Sequence, residues 1–155
     1  TKGYSIISNG GFDISPTLIK QNNYKKSKRI LNEEVSKSLN PILRKIVTSE
    51  DGTAGFANVK GYQIGGKTGT ADIATSGGYS KKKINTFASI FPTSKPKFAL
   101  VVMLDEPKAN KDFVYHYRDG RLPYKGNWRN TAGWTTVWIT GQILEKIGPI
   151  LATKY

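Results

Sequence analysis

Two apolar runs, "INTFASIFP" (84–92) and "KFALVVML" (97–104), are separated only by the turn sequence "TSKP". Both are rich in β-branched and aromatic residues, and a short polar gap between such runs predicts a β-hairpin. Before them, "GYQIGGKTGT" (61–70) reads as a third extended segment in which bare glycines leave room for another backbone to approach. After them, "TAGWTTVWITGQILEKIGPIL" places Val137, Trp138, Ile143, Leu144 and Ile147 on a broad apolar stripe. This predicts a closing helix that ends near Gly148-Pro149. A second amphipathic helix is expected over 32–49, with Val35, Leu39, Ile42, Leu43, Ile46 and Val47 at helical spacing. Asn32 would be its cap, and Pro41 is expected to break or restart it. The opening "TKGYSIISNGG" reads as the last turns of a helix closed by glycine. The order helix, strand, strand, strand, helix makes the chain α/β.

With 155 residues and 37% hydrophobic content, the chain is one domain's worth of material around one core. No run of apolar residues is long enough to cross a membrane, and the opening residues are not expected to act as a signal peptide. The absence of cysteine excludes disulfides and thiolate chemistry, and the lone His116 cannot build a multi-histidine metal site. His116 is expected at the surface. A net charge of +13 would suit an anionic partner, but the densest cluster, "YKKSKR" at 24–29, lacks the interleaved aromatics that stack on bases. Specific nucleic-acid binding is therefore not expected. Residues 105–130 are polar and aromatic without a sustained period, and read as a long loop or insertion.

The segment 61–70 supports two chemistries. Gly61, Gly66, Lys67 and Thr68 satisfy G-x-x-x-x-G-K-[ST], the phosphate-cradling loop of nucleotide hydrolases, and "FALVVMLDE" imitates the strand whose acid holds magnesium. That loop needs a buried strand before it and a helix after it, so that helix N-terminus and loop amides jointly hold phosphate. Upstream "EDGTAGFANVK" has too few apolar positions for the strand, and downstream "GTADIATSGG" has no helical stripe. The same residues contain Lys67-Thr68-Gly69-Thr70, the K-T-G element of penicillin-recognising serine enzymes. In an extended strand Lys67 and Gly69 face one way, and Thr68 and Thr70 the other. A cation, two hydroxyls and an edge amide are what an acyl-transfer site needs to hold a terminal carboxylate and a developing oxyanion.

The stretch "GTAGFANVKGYQIGGKTGTAD" resembles the strand region of class B penicillin-binding proteins, the monofunctional peptidoglycan transpeptidases. "YSIISNGGFDISPTLIK" and "FASIFPTSKPKFALVVMLDEPK" resemble the segments on either side of it. The segment "TAGWTTVWITGQILEKIGPIL" is similar to the last helix of the septal, cell-division member. The resemblance covers the chain except for the basic turn near 25 and the insertion at about 110–130. It implies a partial penicillin-binding-protein/β-lactamase-like fold, with three antiparallel strands under a packed C-terminal helix. Lys67 would stabilise anionic substrate and assist proton traffic, and Thr68 and Thr70 would bind the carboxylate of a donor peptide or β-lactam. The Thr70 N–H would form half of the oxyanion hole, and Gly69 would keep the strand surface clear. Neither a cofactor nor a metal is implied.

Such enzymes also use a serine in S-x-x-K at a helix start and then S-x-N, both ahead of K-T-G. Ser80-Lys83 and Ser94-Lys97 fit the first pattern but follow K-T-G, and Ser38-Leu39-Asn40 fits the second within an ordinary amphipathic helix. The chain is therefore expected to be the C-terminal part, 1–155, of a single transpeptidase domain, inert alone, with its nucleophile before Thr1. The resemblance places the parent protein on the periplasmic face of the inner membrane, held by an N-terminal anchor. Its expected partners are peptidoglycan stem peptides, β-lactams and other division and cell-wall proteins. A non-catalytic interaction module, docking through the strand edge and residues 105–130, is the competing class.

Overall fold

A computed structural model of the chain describes residues 1–19, 27–126 and 129–154. Half of the basic cluster at 24–29, residues 24–26, lies outside these residues. The centre is an antiparallel sheet of β1 (Gly65–Thr75), β2 (Gly78–Phe91) and β3 (Phe98–Asp105), in the order β1-β2-β3. The register sets Gly66 opposite Ser89, Thr68 opposite Phe87 and Thr70 opposite Asn85, with Phe87 opposite Val102 on the other side. Because paired residues share a face and neighbours alternate, Thr68, Thr70, Asn85, Phe87 and Ser89 look one way. Lys67, Gly69, Thr86, Ala88 and Ile90 look the other.

The helices α1 (Lys2–Ser8), α2 (Glu33–Thr48) and α3 (Thr136–Lys154) surround this sheet. Val137 and Leu144 of α3 form one core with Phe87, Ile64, Val47 and Phe56, all buried. The helix α2 crosses the start of β1, where a Cβ on Gly65 would stand 2.8 Å from the Arg44 backbone nitrogen. That approach requires glycine. Asn32 caps α2 as expected, its side-chain oxygen accepting from the Glu34 N–H at 3.1 Å. The apolar stripe of α2 is narrower than the sequence reading: Leu43 and Val47 are buried, while Val35 and Ile42 are exposed.

Both helical prolines overturn the sequence reading. α2 runs through Pro41, and α3 runs past Gly148-Pro149 to Lys154. Each ring stands on an exposed side of its helix, as do Lys37 and Glu145 four residues earlier. Water can therefore serve the carbonyls that lose a partner, and packing on the opposite face maintains the helix.

The strands also extend beyond the apolar runs. β2 begins at Gly78 and includes the lysines at 81–83: Lys83 pairs with Asp72 of β1, Tyr79 and Gly78 pair with Ala74 and Thr75, and Lys81 and Lys82 fall at the register shift between these two stretches. Lys83 meets Asp72 at 2.7 Å and Lys82 meets Glu106 at 2.7 Å. The region 105–130 contains a small ribbon of β4 (Val114–Tyr115) and β5 (Tyr124–Lys125). Its aromatic side chains reach the core: Tyr115 is buried, and Phe113 and Tyr117 pack beside it. His116 is exposed.

Candidate functional site

Lys67, Thr68, Gly69 and Thr70 all lie in β1, an edge strand of the sheet. No helix follows Lys67-Thr68, so the phosphate-loop reading has neither the helix N-terminus nor the turn that its chemistry demands. Alternation along β1 instead delivers Thr68 and Thr70 together to an open cleft of about 270 Å³ on the α3 side of the sheet. Gly52, Thr53, Gly55, Phe56, Tyr117, Thr131, Gly133 and Trp134 complete its lining.

The two hydroxyls are held from opposite sides. The Thr53 and Thr68 Oγ1 atoms are 3.0 Å apart, within hydrogen-bond distance. The Ala132 N–H donates to Thr70 Oγ1 at 3.0 Å. Lys67 is on the other face of the strand, exposed, and its Nζ curls back to donate to the Thr68 carbonyl at 2.8 Å. Gly69 also faces that way, where a Cβ would come 2.6 Å from Thr86 Oγ1. The strand thus brings Thr68 and Thr70 into one cleft and sets Lys67 and Gly69 behind them.

Asn85 holds the side of the cleft that Thr131 and Gly133 line. Fully buried opposite Thr70, it donates to the Asn130 carbonyl at 2.6 Å and to Thr135 Oγ1 at 2.7 Å. It therefore ties β2 to the turn that carries Thr131, Ala132 and Gly133. The floor is aromatic: Phe56 stacks on Tyr117 with centroids 4.1 Å apart and lies 5.2 Å from Trp134. The Arg121 guanidinium caps Tyr117 at 4.0 Å, and Arg129 lies over Trp134 at 4.1 Å. Burial pushes the Tyr117 hydroxyl above its ordinary range, so it stays a neutral donor near neutral pH. Beneath the floor, Arg118 binds the Glu145 carboxylate at 2.7 and 3.0 Å and also donates to the Phe56 carbonyl. Its hydrogen bonds hold the Glu145 carboxyl below the usual glutamate range.

Hydroxyls and a neutral phenol around an apolar floor suit a ligand that is anionic at one end and apolar along its body. The carboxylates of Asp72 and Glu106 are engaged by lysines instead. Among the described residues, no cluster of histidine, cysteine, aspartate or glutamate could hold a metal ion. Ser80 and Lys83 lie on β2, and Ser94 and Lys97 belong to the turn before β3, so neither pair starts a helix.

Sequence reasoning did not single out Thr53, Phe56, Tyr117, Thr131 or Trp134 as site residues. The glycines at 52, 55 and 133 were the available signal, since bare Cα atoms flank each of the backbones that close on the cleft.

An antiparallel sheet under a C-terminal helix, with Lys67-Thr68-Gly69-Thr70 on an edge strand beside a hydroxyl-lined cleft, is the fold of the penicillin-recognising class. More particularly, the chain belongs to the penicillin binding protein transpeptidase domain family, whose family model matches residues 1–119. It is 31% identical over 135 residues to a probable peptidoglycan D,D-transpeptidase FtsI of Caulobacter vibrioides, covering 82% of this chain and 21% of that protein. It is 44% identical over 89 residues to a peptidoglycan D,D-transpeptidase FtsI homolog of Chlorokybus atmophyticus, covering 56% of this chain and 13% of that protein. The chain thus spans about a fifth or less of these relatives.

Among solved structures, the transpeptidase domain of Burkholderia pseudomallei penicillin-binding protein 3 superposes with a TM-score of 0.71 at 24% identity, over 96% of this chain and 40% of that one. Penicillin-binding protein 3 of Mycobacterium tuberculosis, complexed with ampicillin, gives a TM-score of 0.68 at 25% identity, over 95% of this chain and 34% of that one.

Proposed function

We propose that the chain is the substrate-holding part of a peptidoglycan D,D-transpeptidase that cross-links stem peptides during septal wall synthesis and binds β-lactams. The observation that carries this reading is the convergence of Thr68 and Thr70 on one cleft of an edge strand. A donor peptide laid along that edge would gain backbone hydrogen bonds, and its terminal carboxylate would take the threonine hydroxyls. Lys67 would approach the anion from the other face once its bond to the Thr68 carbonyl is exchanged, and the Thr70 N–H would serve the oxyanion. The reaction is serine-type, with its nucleophile and lysine supplied by a part of the protein outside these residues. Family membership supports a periplasmic location behind a membrane anchor, close to other division proteins.

The test is intact-mass analysis after incubation with benzylpenicillin, on this chain and on the protein encoded by the complete reading frame. An acyl adduct on the longer protein alone is expected. An adduct on the 155-residue chain would overturn its inertness, and none on a folded longer protein would overturn the transpeptidase reading.

A further inference from the structure

The side chain of Thr53 touches the site from outside the motif strand, and its position is unusually constrained. The loop that carries it is closed on α2 by the Gly52 N–H to the Ser49 carbonyl at 2.9 Å and the Ala54 N–H to the Ile46 carbonyl at 3.2 Å. Beside it, a Cβ on Gly133 would come 2.8 Å from the Thr53 carbonyl, so the two backbones approach only because residue 133 has no side chain. Thr53 is thereby fixed with its hydroxyl 3.0 Å from that of Thr68.

Hydroxyl arithmetic then gives this contact a direction. A threonine hydroxyl has one proton and two lone pairs. Thr70 Oγ1 already accepts the Ala132 N–H, which leaves its own proton for the cleft. For Thr68 to offer a proton as well, Thr53 must be the donor of their shared bond. We propose that Thr53 is a positioning residue for anion recognition. It donates to Thr68 and so turns the Thr68 proton toward the carboxylate of the bound peptide or β-lactam. An anion in the cleft favours that arrangement of the chain and polarises it cooperatively. This inference rests on the transpeptidase reading.

The test uses the protein encoded by the complete reading frame, with Thr53→Val, which keeps the shape and removes the donor, and Thr53→Ser, which restores the hydroxyl. The measurement is the acylation efficiency with benzylpenicillin and with its neutral methyl ester. Thr53→Val is expected to lower the efficiency about fivefold for the acid, through weaker initial binding, and to leave the ester nearly unchanged. Thr53→Ser should recover the acid. Equal losses for acid and ester, no loss at all, or no recovery by serine would overturn the proposal. Should the valine variant fail to fold, Thr53→Ala and Thr53→Ser supply the same comparison. Failure of the unsubstituted protein to acylate would instead bring down the transpeptidase reading itself, which separates the two.

Discussion

Thr68 and Thr70 meet in one cleft for a reason visible in a single quoted segment: residues two apart on a strand share a face. The partners that orient them were not visible there. Thr53 lies 15 positions before Thr68, and Ala132 lies 62 positions after Thr70. Their places depend on how two loops return to the strand, which no local pattern encodes. The same holds for Arg118 and Glu145, an ion pair that spans 27 positions beneath the aromatic floor. Arg118 lowers the Glu145 pKa in the folded protein. A depressed carboxyl contributes stability that is fully present above its unfolded value, about 4.3, and lost as pH falls through the folded value. Acid titration of thermal stability should therefore show a decline below about pH 4 that Glu145→Gln reduces. Parallel profiles for the two proteins would show that the pair is screened out.

Among the elements, strands and helices were recognisable wherever a single signal ran uninterrupted, such as the continuous apolar run of β3. Mixed signals misled. The lysines at 81–83 have no apolar alternation, yet they join β2 because pairing resumes on either side of a register shift and Asp72 offers Lys83 both a strand partner and a countercharge. Pro41 and Pro149 suggested helix ends, but a proline on the wet side removes only one bond from a helix held by packing on its other side. Cap chemistry was the more dependable marker, because it acts through immediate neighbours. Asn32→Ala should therefore cost about 1 kcal/mol of folding stability, read by denaturant titration. A loss below a few tenths would mean that tertiary packing alone holds the start of α2.

Across the molecule, layer order and fold class followed from the hairpin runs and the two flanking helices. What covers the outer surfaces does not follow from them. Met103 on the sheet face opposite α3 is 65% exposed, and Ile42 on α2 is 53% exposed. Relatives in which this chain occupies a fifth of the length or less have ample polypeptide to shield such residues. The 155-residue chain is expected to bind the dye ANS strongly, and the protein from the complete reading frame weakly. Equal binding would show that these surfaces remain open in the longer protein.

The bond from the Ala132 N–H to Thr70 fastens the motif strand to the turn that launches α3. On the proposed reading, the grip on an antibiotic depends on how that helix is seated. A substitution that tilts α3 would loosen the grip without altering any residue that touches the drug. Resistance in such a protein would then have a route through the helix as well as through the strand.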